Sequence, residues 1–283
     1  MSTKFYIISL LSVILLTVIF QGCGKSAGSQ REDKENDRVE EANSQPLNLT
    51  IFVDLSDRIE KEKDKMIQAE KDRLIINALA NGFIEKQIKE GFQKSKDCFQ
   101  VIFYPAPLES QTLADNLNLD LGSIVGPKKK DLNDFKSNYE VNVKSLYDKA
   151  LNEKDYFGSD IWGYFNKDKV KDFYKDGYRN VLVILSDGYI YDANNKLNNG
   201  LQYSYILPQT LAVKDSELIP CEISNPNFEL FFMECNPNPQ TDFPKMKSVL
   251  NNWFTHMGIN KIDIQDTDLP ANTIKHLEKD IFH

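Results

Sequence analysis

The sequence predicts an α/β protein built on a doubly wound, mostly parallel sheet with helices on both faces. Strand-like apolar runs alternate with amphipathic helical runs from residue 47 onward, a pattern that builds parallel sheets whose crossovers cover both faces. Two of the runs, NLTIFVDLSDR at 48–58 and NVLVILSDG at 180–188, end abruptly in acid and hydroxyl residues. Ligands of open α/β sheets gather outside the carboxyl ends of the strands, so Asp54, Ser56, Asp57 and Asp187 lie where binding is expected.

Taken in order, residues 1–22 carry Lys4 and then an apolar core from Phe5 to Phe20, which reads as an export signal. Gly22 before Cys23 resembles a bacterial lipobox and makes Cys23 the expected lipidation site; Gly24 in place of an acid points to the outer membrane. Residues 23–46 are polar and charged, the composition of a disordered tether. The expected domain fills 47–283. Its first strand is followed by a helix over 59–91, with Ile67, Leu74, Ile75, Ala78, Leu79, Phe83, Ile84 and Ile88 at three- and four-residue steps. A strand over 97–104 ends at Pro105 and Pro107.

An excursion around 105–137 has little apolar periodicity, and a helix over 139–152 follows, carrying Val143, Leu146, Tyr147, Ala150 and Leu151. Ser159 and Asp160 open a further helix, where a hydroxyl or acid before an apolar run is an ordinary N-cap. After the strand at 180–185 comes a long insertion, 189–227, with Tyr189, Tyr191, Tyr203 and Tyr205; length and aromatics there suit a contact surface or an inward-packed hairpin. A strand at 228–235, a helix at 245–257, a short strand at 260–265 and a helix at 269–282 close the chain.

Composition narrows the function classes. A net charge of -8 and a pI near 5.1 argue against nucleic acid, since a phosphate binder presents a basic face. His256, His276 and His283 all fall near the end of the chain and none accompanies a nucleophile motif, which disfavours a histidine-based hydrolase. Cys98, Cys221 and Cys235 lack zinc-ligand spacing, and whether Cys221 bonds Cys235 is left open by the sequence.

The two acid-tipped strands, with FGSDIWGYF at 157–165 between them, resemble the von Willebrand factor A (vWA) family, whose metal-dependent adhesion motif runs Asp-x-Ser-x-Ser, then Thr, then Asp before Gly. The resemblance implies that Asp54, Ser56, Ser159 (in the place of the Thr) and Asp187 hold Mg²⁺ or Mn²⁺. Arg58 stands where the family has Ser. Such a site offers two carboxylates and two hydroxyls, and an acidic side chain of a protein partner would complete the shell. The implied contact rim includes Asp57, Arg58, Asp160, Tyr189 and Tyr191.

A guanidinium has only donors and cannot ligate a metal. Three arrangements are therefore open: Arg58 turns outward and a weaker site survives, Arg58 replaces the cation and pairs with Asp54 or Asp187, or Asp57 alters the coordination. The leading functional expectation is a lipid-anchored binding or scaffold protein of the cell envelope, not an enzyme. One alternative is a phosphoryl-transfer or hydrolytic enzyme using Asp54, although position 56 is Ser and no Gly-rich phosphate loop occurs. Another is a structural lipoprotein with a degenerate, metal-free site.

Overall fold

In the computed structural model, residues 45–106, 108–153, 159–189, 221–237 and 243–283 are described. The expected signal and tether, Cys23, Tyr191 and most of the 189–227 insertion lie outside them.

Leu47–Val53 forms β1, with every residue buried. A 3-10 turn (Asp57–Glu60) leads into a hairpin of β2 (Glu62–Lys63) and β3 (Met66–Ile67), and then into the long helix α1 (Gln68–Glu90). Next come β4 (Cys98–Ile102), α2 (Leu108–Asp115), β5 (Leu119–Asp120) and α3 (Lys129–Glu153). The short helices α4 (Ile161–Asn166) and α5 (Val170–Phe173) precede β6 (Arg179–Leu185). The chain ends with β7 (Glu229–Cys235), α6 (Phe243–His256), β8 (Lys261–Asp266) and α7 (Pro270–Phe282).

Six strands form one sheet in the order β5-β4-β1-β6-β7-β8. All neighbours are parallel except β5, which runs antiparallel to β4 at one edge. This is the doubly wound α/β fold of vWA and Rossmann type. From β1 the chain first builds outward through β4 and β5, then returns and builds the other way from β6. The reversal between β1 and β6 is the switch point at which such sheets bind ligands. Alternation along the central strands separates two cores. Leu49, Ile51, Val53, Val181 and Val183 pack with Ile75, Leu79, Val143 and Leu277, while Phe52, Leu182, Ile184 and Phe232 pack with Phe165, Leu250 and Trp253.

Three boundaries differ from the sequence reading. The first helix begins at Gln68 and not at residue 59, because Asp64 and Lys65 take positive φ (56 and 66°) and turn the chain into the hairpin. α3 begins at Lys129, well before the expected 139, and its first turns bury Leu132. The helix expected after Ser159 breaks in two near Asp168, whose φ is 50°. Cys98, Cys221 and Cys235 are buried free thiols.

Trp253 is fully buried and meets Phe165 edge-on at 5.7 Å between ring centres. Trp253→Ala should lower the unfolding free energy by about 3–5 kcal/mol in urea denaturation, the range for emptying such a site.

Candidate functional site

The carboxyl ends of β1 and β6 are tied by the amide of Asp54, which donates to the Leu185 carbonyl at 3.1 Å. Asp54 is wholly buried and both of its carboxylate oxygens are engaged. Oδ1 accepts from the Ser56 amide at 3.0 Å and Oδ2 from the Ser186 hydroxyl at 2.7 Å. Ser56 caps the 3-10 turn that follows. Through that turn the chain doubles back and drives the Arg58 side chain under the rim, where it is 1% exposed.

Arg58 is the hub. Its Nε donates to the Asp54 carbonyl at 3.1 Å and lies 3.7 Å from Asp54 Oδ2. One terminal nitrogen donates to Asp72 Oδ2 at 2.6 Å and to the Leu185 carbonyl at 2.7 Å. Asp72, on the buried face of α1, also accepts from Gln68 Nε2 at 2.9 Å and from the Tyr147 hydroxyl of α3 at 3.1 Å. Gln68 continues to Glu234 Oε2 at 3.1 Å, and the Thr267 and Thr273 hydroxyls complete that carboxylate at 2.7 and 2.8 Å. Glu234 has φ of 68° at a register shift between β7 and β8, which turns it inward from the strand end.

Asp187 is 6% exposed at its side chain and pairs with the half-exposed Lys61 ammonium at 2.9 Å. Its other oxygen accepts from the Tyr189 amide at 3.1 Å. The turn needs Gly188: its φ is 89°, and a Cβ there would come within 2.3 Å of Met246 Sδ.

Of the residues drawn from the sequence, Asp54, Ser56 and Asp187 meet at the switch point. Ser159 reaches the same edge of the sheet by bridging Tyr104 beyond β4, and no hydrogen bond joins its side chain to Asp54, Ser56 or Asp187. Asp160 caps α4 through the Gly163 amide at 2.6 Å. Asp57 is exposed and Tyr189 half-buried at the rim, whereas Arg58, expected beside them, lies beneath. Lys61, Gln68, Asp72, Tyr147 and Glu234 were not singled out. Asp72 sits three and four residues before the buried Ile75 and Ile76, and Glu234 interrupts an apolar strand; both are acids in apolar patterns, a legible sign of a buried partner.

Burial pushes the Asp54 carboxyl up to about 6, with the Arg58 charge and the hydrogen bonds from Ser186 and Ser56 offsetting only part of the rise. Burial likewise raises Asp72 against the pull of Arg58. For Lys61, burial opposes the charge but Asp187 outweighs it, and the ammonium is held above its usual range. The donor set therefore does not fit a hard divalent cation. A guanidinium 3.7 Å from Asp54 Oδ2 and an ammonium 2.9 Å from Asp187 Oδ2 stand where the metal's charge would act, and two fixed cations there repel a third. Of the three arrangements the sequence left open, the structure has Arg58 paired with Asp54, with Asp72 as its closer partner.

No protein-family profile matches the chain, and no curated protein matches it. Among solved structures, the pilus adhesin SpaC from Lactobacillus rhamnosus GG is similar at 11% identity over 84% of this chain and 31% of its own, with a TM-score of 0.43. The chain thus spans under a third of that adhesin's length. An aerotolerance-related membrane protein from Bacteroides fragilis NCTC 9343 is 13% identical over 83% of this chain and 98% of its own, with a TM-score of 0.37.

Removing the hub leaves buried acids without their counter-charge. Arg58→Ala should cost about 3–5 kcal/mol in chemical denaturation. Arg58→Lys should recover only part of that, because one ammonium cannot span Asp72 and both carbonyls. The raised Asp54 pKa also sets a sign. The unfolded chain releases this proton near about pH 4 and the folded state near 6, so between these values the folded state binds more protons. The contribution of Asp54 to stability is fully present at the acid end and is lost as pH rises through 6. The stability of the wild type relative to Asp54→Asn should fall as pH rises across that window in urea titrations, and a difference that stays flat or moves the other way would contradict the assignment.

Proposed function

We propose that this chain is a lipid-anchored protein of the cell envelope whose vWA-like domain binds a protein partner at the rim without a resident divalent cation. One observation carries the reading: both acids of the expected metal motif are already neutralised from within, Asp54 by Arg58 and Asp187 by Lys61. The fold's binding edge is retained, while the charge a metal would supply comes from side chains. Lys61 is the exposed member of the pair, with 48% of its side chain accessible beside the exposed Asp57. An acidic side chain of the partner would meet this ammonium where a metal-dependent relative would present a cation. Anchoring follows from the apolar leader and Cys23, with the outer membrane as the destination that Gly24 suggests.

Catalysis by Asp54 is disfavoured by its surroundings. A nucleophile or metal-ligating carboxylate needs a reachable oxygen, and Asp54 is fully buried with both oxygens hydrogen-bonded.

The test is capture of partners by the full-length chain from envelope extracts, with EDTA or with Mg²⁺. Capture should be indifferent to EDTA and weakened by salt. It should fall about tenfold in Lys61→Glu, the scale of one attractive pair made repulsive. Release of the partner by EDTA, or full capture by Lys61→Glu, would overturn the proposal.

A further inference from the structure

On the flank of the sheet where α7 packs beside the edge strand β8, three ligand-type side chains converge. Asp263 projects from β8, while His276 and Asp280 stand one turn apart on α7. The ring nitrogen of His276 and one carboxylate oxygen from each acid all lie within 4.8 Å of one another. His276 Nε2 contacts Asp263 Oδ2 and also lies 3.8 Å from Asp280 Oδ2. One ring nitrogen carries at most one proton, so it can satisfy one of these carboxylates and not both.

The surroundings do not supply the missing charge. Among the described residues, no lysine or arginine forms an ion pair with Asp263 or Asp280. Arg179, which acts on Asp280 only through space, directs its N–H groups to Glu229 and to the backbone carbonyls of Asp280 and Ile281. Meanwhile Gln265 Nε2 donates to Asp263 Oδ1 at 2.6 Å, which fixes the carboxylate and leaves Oδ2 turned toward the imidazole. Hydrogen bonds of this kind orient the ligands of metal sites.

We propose that Asp263, His276 and Asp280 form a binding site for a borderline divalent cation of the Zn²⁺ class. One imidazole and two carboxylates suit such an ion, whereas Mg²⁺ and Ca²⁺ favour shells made of oxygen alone. Around tetrahedral Zn²⁺, with bonds of about 2.0–2.1 Å, ligand atoms stand about 3.3 Å apart, so rotations that widen the His276–Asp263 contact and shorten the His276–Asp280 separation fit the cluster to an ion. The side chains of Asp263, His276 and Asp280 are 27%, 36% and 36% exposed, which leaves the fourth position open to water or to a group from another molecule. The ion would bolt α7 to the sheet edge, at a place separate from the rim.

Zn²⁺ alone is the probe. The full-length chain, stripped with chelator, is titrated by calorimetry and by thermal melting. The expected result is one equivalent bound and a Tm rise of roughly 5–10 °C at a hundredfold excess over Kd. Affinity should fall more than tenfold in His276→Ala and in Asp280→Asn and should persist in Asp187→Asn. Asp280→Asn keeps the shape of the side chain, so its reading does not depend on tolerance of the larger change. Absence of saturable Zn²⁺ binding in the wild type, or affinity within tenfold of it in either of the first two variants, would overturn the proposal.

Discussion

A buried guanidinium organises the carboxyl edge of this molecule's sheet, where β1 and β6 meet. Placing Arg58 at 1% exposure takes a full charge out of water, a penalty of several kcal/mol unless the surroundings answer it. They answer it at Nε and one terminal nitrogen with the carboxylates of Asp72 and Asp54 and the carbonyls of Asp54 and Leu185, while the other terminal nitrogen is buried without a hydrogen-bond partner among the described residues. These groups come from Asp54 just past β1, from α1 and from the last residue of β6, so the ion network ties the ends of the two central strands to the first helix. It does so at the point where the sheet reverses direction. The segment from Asp54 to Arg58 is thereby tied to both strands at its base.

The same network separates the buried role of the acids from the exposed role of the lysine. Asp54, Asp72 and Glu234 are wholly enclosed, and their hydrogen bonds run from α1 through Gln68 to β7 and on to Thr273 of α7. Lys61 stands at the surface end of this chain of contacts, on the segment that enters the β2–β3 hairpin. A substitution at Arg58 is therefore a change to the scaffold, whereas one at Lys61 addresses the surface a partner would meet.

Much of this was legible in the sequence. The apolar runs ending at Val53 and Leu185 gave both central strands, and the acids after them mark the switch point. The hairpin before α1 was hidden because its turn uses Asp64 and Lys65 in left-handed conformations, without the glycine that ordinarily announces such a turn. The early start of α3 was hidden by its charged first turn, although Leu132, Phe135 and Tyr139 already step along one face. Pairing across 14 residues or more, as from Arg58 to Asp72 or from Gln68 to Glu234, depends on which elements the fold brings side by side. Local pattern carries no record of that.

The central claim is that the charge at the switch point comes from Arg58 and Lys61 and not from an ion. Calorimetric titration of the full-length chain with Mg²⁺, in the His276→Ala background so that the flank site is silent, reads this directly. The account predicts no saturable binding at millimolar Mg²⁺. Saturable binding that disappears in Asp54→Asn would contradict it.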